Sequence, residues 1–233
     1  MKPLVKLVNE WDAYESKHSN ASIEDFCRFY LIKKREEERK GIIFSGGAVP
    51  PSINSILLKM LSRISAINFY YFKISSEKED RIEPEWFLLL NSIFFKKESK
   101  KIDVINANFI EQSTGVDMLK RMKKAGLISE RNDLVDKRAV LVKLTQKGEG
   151  ILFKCFEKLS TIGFFMFQDV NEDDKNLVLQ LLSNTEIKHS RMILENRTKN
   201  FDEILDRYSD KEKLNKFKKV SRVMRAKAIK ERK

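Results

Sequence analysis

The chain has 233 residues, with 46 Lys+Arg against 34 Asp+Glu, two His and two Cys. Its 42% hydrophobic and 10% aromatic content is enough for a packed core and excludes global disorder. A net charge of +12 and a pI near 9.5 call for a polyanionic partner, either nucleic acid or an acidic membrane surface.

Cys27 and Cys155 supply neither a disulfide framework nor a metal cluster, so a cytoplasmic location is expected. His18 and His189 are too far apart in the chain to suggest a metal site, and no cofactor is expected. Met1-Lys2-Pro3-Leu4 lacks the apolar core of a signal peptide. The longest charge-free run, Gly41 to Leu58, is broken by Gly46-Gly47 and Pro50-Pro51, so it reads as a linker entering a helix and no membrane span is expected. Every proline lies at or before Pro84, which favours long helices over residues 85–233. No Ser/His/Asp or Cys/His spacing, phosphate-cradling glycine loop or metal cluster marks an enzyme.

In chain order, residues 1–40 read as a helical hairpin. Leu4, Leu7, Val8, Trp11 and Tyr14 form one stripe, and Ile23, Phe26, Cys27 and Tyr30 form another. Ser22 with Asp25 resembles a capping box at the second helix. Gly41 to Pro51 is the expected boundary. From Ser52 a helix carries Ile53, Leu57, Met60, Ile64, Ile67, Tyr71 and Ile74 at spacings of three and four, and Leu58, Leu61, Phe69, Tyr70 and Phe72 make another face apolar. Such a helix needs burial on more than one side, in a large core or a dimer.

Pro84 opens a helix over about Glu85 to Phe95, at a favourable first-turn position. Residues 101–110 are ambiguous. Ser113 to Ala125 reads as a helix with Val116, Leu119 and Met122 on one side and Lys120, Arg121, Lys123 and Lys124 elsewhere, ended by Gly126. Two β-like runs, Leu127 to Asn132 and Arg138 to Leu144, form a hairpin. A long helix from Thr145 turns Leu152, Cys155, Phe156, Leu159, Ile162 and Met166 inward. Asn171 with Asp174 then caps another helix carrying Leu177, Val178, Leu181 and Leu182. The tail continues through Phe201, Ile204, Leu205 and Tyr208, and Ser209 with Glu212 marks a fresh cap before Leu214, Phe217, Val220 and Met224. Cys27 and Cys155, both on apolar stripes, are expected to be inert core residues.

Helix, helix, short helix, basic helix, hairpin, long helix is the order of a winged helix-turn-helix. The expected fold is therefore mainly α with a small β-hairpin wing and long dimerisation helices. Ser113 and Thr114 at the basic helix's start suit phosphates or base edges. Arg121 suits a bidentate guanine contact, and Lys120 and Lys124 suit phosphates. Lys137 and Arg138 stand at the hairpin turn, where a guanidinium fits a narrow minor groove.

The run Asp136-Lys137-Arg138-Ala139-Val140-Leu141-Val142-Lys143-Leu144-Thr145-Gln146-Lys147-Gly148 resembles the signature of MarR-type transcriptional regulators, with an Asp-x-Arg wing tip and a Val-x-Leu-Thr strand end. Leu119 to Arg131, including Lys-Lys-Ala-Gly-Leu-Ile at 123–128, is similar to that family's recognition helix and first wing strand. Extended by helix order, the resemblance covers residues 51–195. It implies a homodimer joined through its first and last helices, a pseudo-palindromic operator, and a cleft where small molecules act as effectors. It makes Arg138 the wing arginine and Asp136 its orienting residue, and it places Thr114, Asp117 and Arg121 in the recognition helix. Asp117 departs from the pattern, since many relatives carry a basic or neutral residue there.

The expected organisation is thus a helical extension and linker (1–50), a MarR-like DNA-binding and dimerisation domain (51–195) and a basic helical tail (196–233). The tail carries 14 basic and 6 acidic residues and reads equally well as a solvated helix or as a further DNA-contacting arm. The Ile53-to-Tyr71 stripe is assigned to the dimer. The expected function is a sequence-specific repressor on double-stranded DNA. The alternative is a protein-interaction adaptor, or a non-specific nucleoid-like binder, on the same fold.

Overall fold

In the computed structural model, the described residues are 2–38, 50, 52–75 and 82–230. The chain divides into two units, Met1–Pro50 and Pro51–Lys233, which we treat separately. The expected linker over residues 41–49 lies outside the described residues, as does Pro51.

The first unit is the hairpin of α1 (Pro3–Glu15) and α2 (Ile23–Glu38). Aromatic rings hold it together. Trp11 meets Phe26 edge-on at 5.1 Å, and Tyr14 lies against Phe26, Phe29 and the His18 ring. Lys33 donates to Glu10 at 2.7 Å. Ser22 caps α2 by accepting from the Asp25 N–H. Two expectations fail here: Leu4, Leu7, Val8 and Ile23 are exposed, and Cys27 is exposed instead of buried. The ring cluster draws on the last turns of α1 and the first turns of α2, and these apolar positions lie outside it.

The second unit begins with α3 (Ile53–Ile74), whose N-cap Ser52 accepts from the Ser55 N–H. Next come α4 (Pro84–Lys96), with Pro84 in its first turn, then the two-residue strand β1 (Ser99–Lys100) and α5 (Lys101–Ala107). After α6 (Gln112–Lys124), the chain forms β2 (Ile128–Asn132) and β3 (Val140–Leu144). The sheet is antiparallel in the order β1-β3-β2. In β3, Val140 and Leu141 are both half-buried, and burial then alternates, with Val142 and Leu144 buried and Lys143 exposed.

The core of this unit joins Leu89, Leu90 and Ile93 of α4, Val104 and Ile105 of α5, Leu119 and Met122 of α6 and Val142 of β3. Leu152 enters it from α7 (Gln146–Phe167), which Thr145 caps by accepting from the Gly148 N–H. Cys155 is buried with Phe72 and Ile162, as expected. Phe156, expected inward, lies at the margin, edge-on to Phe87 at 5.6 Å.

Asn171 caps α8 (Glu172–Glu195), on which Met192 is buried while Leu177, Val178 and Leu181 are exposed. The chain then breaks at the buried Asn196, which donates to the Met192 carbonyl and the Tyr208 hydroxyl. A full capping box between Asn200 and Glu203 starts α9 (Phe201–Tyr208). The expected cap at Ser209 is corrected. Its hydroxyl donates back to the Leu205 carbonyl, and Asp210 accepts the first N–H groups of α10 (Lys211–Lys230). Serine and aspartate cap about equally well, and the aspartate charge additionally suits the positive end of the helix dipole.

Candidate nucleic-acid interface

The close crossing of α5 and α6 depends on Gly115. A Cβ at that position would lie 2.6 Å from Ile105 Cγ1, so only hydrogen permits the approach. The turn between the two helices is fixed by Asn108, whose Nδ2 donates to Ser92 Oγ and to the Val104 carbonyl, both at 2.8 Å.

Buried Met118, Leu119 and Met122 turn the opposite side of α6 outward, where Thr114, Asp117, Lys120 and Arg121 line one shallow depression. Ser113 and Lys124 are exposed nearby. The helix's N-terminus is already occupied. The Glu111 carboxylate accepts from the Thr114 N–H at 3.0 Å and from the hydroxyls of Ser113 and Thr114. These bonds, led by Ser113, draw its carboxyl down to about 2. The hydroxyls assigned to phosphates are therefore turned toward an internal carboxylate. Asp117 pairs with Lys120 at 3.4 Å. Arg121, assigned to guanine, reaches back to Glu83 and lies 5.6 Å from the Trp86 ring centroid.

The wing is tied to the corner at the start of α5, and to α6, by four ion pairs. Arg131 clasps Glu98, and its hydrogen bond is the main cause holding the Glu98 carboxyl below its ordinary value. Lys101 and Lys123 converge on Glu130 at 2.6 and 2.9 Å. Burial works against that carboxylate, yet the two lysines prevail and its pKa is lowered. Lys100 meets Asp136 at 2.9 Å, which raises the lysine and lowers the acid.

At the tip, Asp133 accepts from the Val135 and Asp136 N–H groups, and Asp136 accepts from the Arg138 N–H at 3.3 Å. Asp136 thus orients Arg138 through its backbone, while its other oxygen goes to Lys100. The Lys137 and Arg138 side chains are exposed and make no ion pair among the described residues.

Of the predicted DNA-binding residues, the structure gathers Thr114, Asp117, Lys120 and Arg121 on one face and Asp136, Lys137 and Arg138 at the wing. Sequence reasoning missed Glu111, Glu83 and Lys100. Glu111 had a readable signal, its place three residues before Thr114; the other two contacts span 38 and 36 positions and had none.

The family model described as "Winged helix DNA-binding domain" matches residues 83–148, from the residue before α4 to the first turn of α7. Solved structures extend the likeness over more than half of the chain. The chain has the MarR-type winged-helix fold. A mutant of MarR from E. coli complexed with operator DNA aligns at 19% identity and a TM-score of 0.51, covering 55% of this chain and 92% of that one. BpsR of Bordetella bronchiseptica, described for regulation of its DNA binding by 6-hydroxynicotinic acid, aligns at 22% and 0.51, covering 56% and 98%. The organohalide-sensing regulator RdhR in its 2,4-dichlorophenol-bound form aligns at 18% and 0.54, covering 65% and 90%. No curated protein matches the sequence. Among the described residues of this MarR-type fold, no helix is long and apolar enough to cross a membrane, and no cluster of metal-ligating side chains occurs.

Proposed function

We propose that the protein is a sequence-specific DNA-binding transcriptional repressor, acting as a homodimer on a pseudo-palindromic operator. The observation that carries this reading is the pairing of a packed helix-turn-helix with a wing whose Lys137 and Arg138 are exposed and without ion pairs among the described residues. The relatives of like fold include proteins solved on operator DNA and with small ligands, which supports the same reading. Ser113, Thr114, Asp117, Lys120, Arg121 and Lys124 are assigned to the major groove and its phosphates, with Asp136, Lys137 and Arg138 at the minor groove. Arg121 would have to exchange Glu83 for a base.

Dimer formation is supported by exposed apolar residues on α3, including Ile53 and Leu57, and on α8. The other stripe positions, Met60, Ile64, Ile67 and Tyr71, are partly buried or exposed in the protomer, and Tyr71 meets Phe165 edge-on at 5.6 Å. Modulation by a small molecule draws support from the depression between α4, β3 and α7, where Phe94, Phe95, Leu144 and Phe156 meet Lys97 and Lys143. That lining, with Asn91 and Glu149 beside the two lysines, suits an aromatic molecule with polar substituents.

A second reading, non-specific DNA binding or an adaptor role, draws on Glu111 and Asp117, two carboxylates facing where phosphates would lie. Fluorescence anisotropy of the full chain on duplexes recovered from a random library separates the two. Recovery of a two-fold motif bound far above scrambled duplex supports the repressor; equal binding of all duplexes overturns it.

A further inference from the structure

The wing ends in a feature that turn chemistry does not explain. Leu134 is 86% and Val135 94% exposed, adjacent at the apex between β2 and β3. Loop tips normally carry Gly, Asn, Asp, Ser or Pro, because those residues satisfy turn geometry without exposing aliphatic surface. Here Asp133 already does that work by accepting from the N–H groups at 135 and 136, and Ala139 closes the loop by donating to the Asp136 carbonyl. The two aliphatic side chains therefore ride on an ordered turn and contribute nothing to its hydrogen bonding.

Shape and charge narrow what covers them. A convex apex of two side chains falls far short of the roughly 800 Å² per partner that a stable protein interface buries. It fits a groove instead. Beside it Asp133 is engaged by backbone N–H groups and Asp136 by Lys100, whereas Lys137 and Arg138 are exposed and without an ion pair among the described residues, so the charge left open there is positive and selects a polyanion. The DNA minor groove offers both chemistries, phosphates along its rims and apolar deoxyribose along its walls, and proteins bound there often carry aliphatic wedges.

We propose that Leu134 and Val135 form an apolar wedge that enters the minor groove beside Arg138, packs on the deoxyribose walls and favours deformable pyrimidine–purine steps over stiff A-tracts. The inference rests on the DNA-binding reading above. The wedge gives the wing a sequence preference at base pairs that no side chain reads by hydrogen bonding.

The test uses the full chain on duplexes selected from a random library, with flanks carrying either TpA steps or an A-tract. Leu134→Ser with Val135→Ser is compared with Leu134→Met and with Arg138→Ala. Thermal melts of each variant come first, since both positions are solvent-exposed and should leave folding unchanged. The double serine variant is expected to bind on the order of tenfold more weakly, to lose the preference for TpA flanks, and to keep the wild-type salt slope. Leu134→Met should retain both affinity and preference. Arg138→Ala should lower the slope, because it removes a phosphate-neutralising charge. Binding of the serine variant within twofold of wild type, with the flank preference intact, overturns the wedge. A weakened variant with a reduced salt slope overturns it too, since the loss would then be electrostatic. Failure of the wild-type chain to bind any duplex overturns the DNA-binding reading itself, a result distinguishable from both.

Discussion

Lys100 Nζ and Asp136 Oδ2 lie 2.9 Å apart although 36 positions separate them in the chain. The contact anchors the wing tip to the residue preceding α5, so the tip's position is referred to the helix-turn-helix and not only to its own hairpin. Lys100→Met should leave the melting temperature nearly unchanged, as the pair is exposed. Amide exchange at 136–138 should quicken, since Asp136 also accepts the Arg138 N–H. Unchanged exchange would mean that the hairpin alone orders the tip.

Arg138→Ala should weaken duplex binding by roughly 1–3 kcal/mol. The slope of log K against log salt should fall by about 0.9, one phosphate-equivalent contact. An anisotropy titration at several salt concentrations reads both; equal affinity removes the wing from the account of binding.

Two glycines in the first turns of α7 give opposite forecasts. A Cβ on Gly148 would stand 2.0 Å from the Leu127 carbonyl oxygen, a backbone atom that cannot move aside cheaply, whereas a Cβ on Gly150 meets nothing within 4 Å. Gly148→Ala should cost roughly 2–3 kcal/mol. Gly150→Ala should gain about 0.5–1 kcal/mol from helix propensity. Urea denaturation followed by circular dichroism measures both, and equal effects would contradict the packing described.

Acid should loosen the wing first. Glu98, Glu130 and Asp136 are all held below the ordinary carboxylate range in the folded chain, and Glu111 is drawn to about 2. A depressed carboxyl stabilises the fold fully above its unfolded value and loses that contribution as pH falls through the folded one. Melting temperature should therefore stay level from neutral to about pH 5 and decline only below that, as pH falls through the ordinary carboxylate range, and Glu111→Gln should flatten the lowest part of that curve. A pH-independent melting temperature would refute the assignment.

Ile53→Asp with Leu57→Asp should yield a folded monomer in sedimentation. Both side chains are exposed on α3, so the protomer loses little while an apolar interface would gain buried charges. Loss of high-affinity binding to a two-fold duplex should accompany it. A dimer that persists would move the interface elsewhere.

Local signals were legible in the sequence and distant ones were not. The period of α3, the caps at Ser52, Thr145 and Asn171, the left-handed Gly126 (φ +74°) and the alternation in β3 all depend on neighbours a few residues away. Strand β1 is two residues long and exists only because Ser99 pairs with Val142, a partner no short-range pattern reveals. Arg121 shows the same limit at the site. Its type and spacing announced a base contact, but the Glu83 carboxylate that engages it belongs to a different element. Cys27 failed for another reason, since an apolar stripe says which side of a helix is greasy and not how much of it a short partner helix covers.

Where α6 ends and α7 begins, three contacts converge. Lys147 Nζ donates to the Ala125 carbonyl at 2.9 Å, Thr145 Oγ1 donates to the Gly126 carbonyl at 2.6 Å, and Gly148 sits against the Leu127 carbonyl. These contacts tie the last turn of the basic helix to the first turn of the 22-residue α7. With α7 as its lever arm, a small tilt at the far end of that helix would carry the end of the basic helix with it. In a paired molecule the span between two such helices would then depend on a joint some distance from any base.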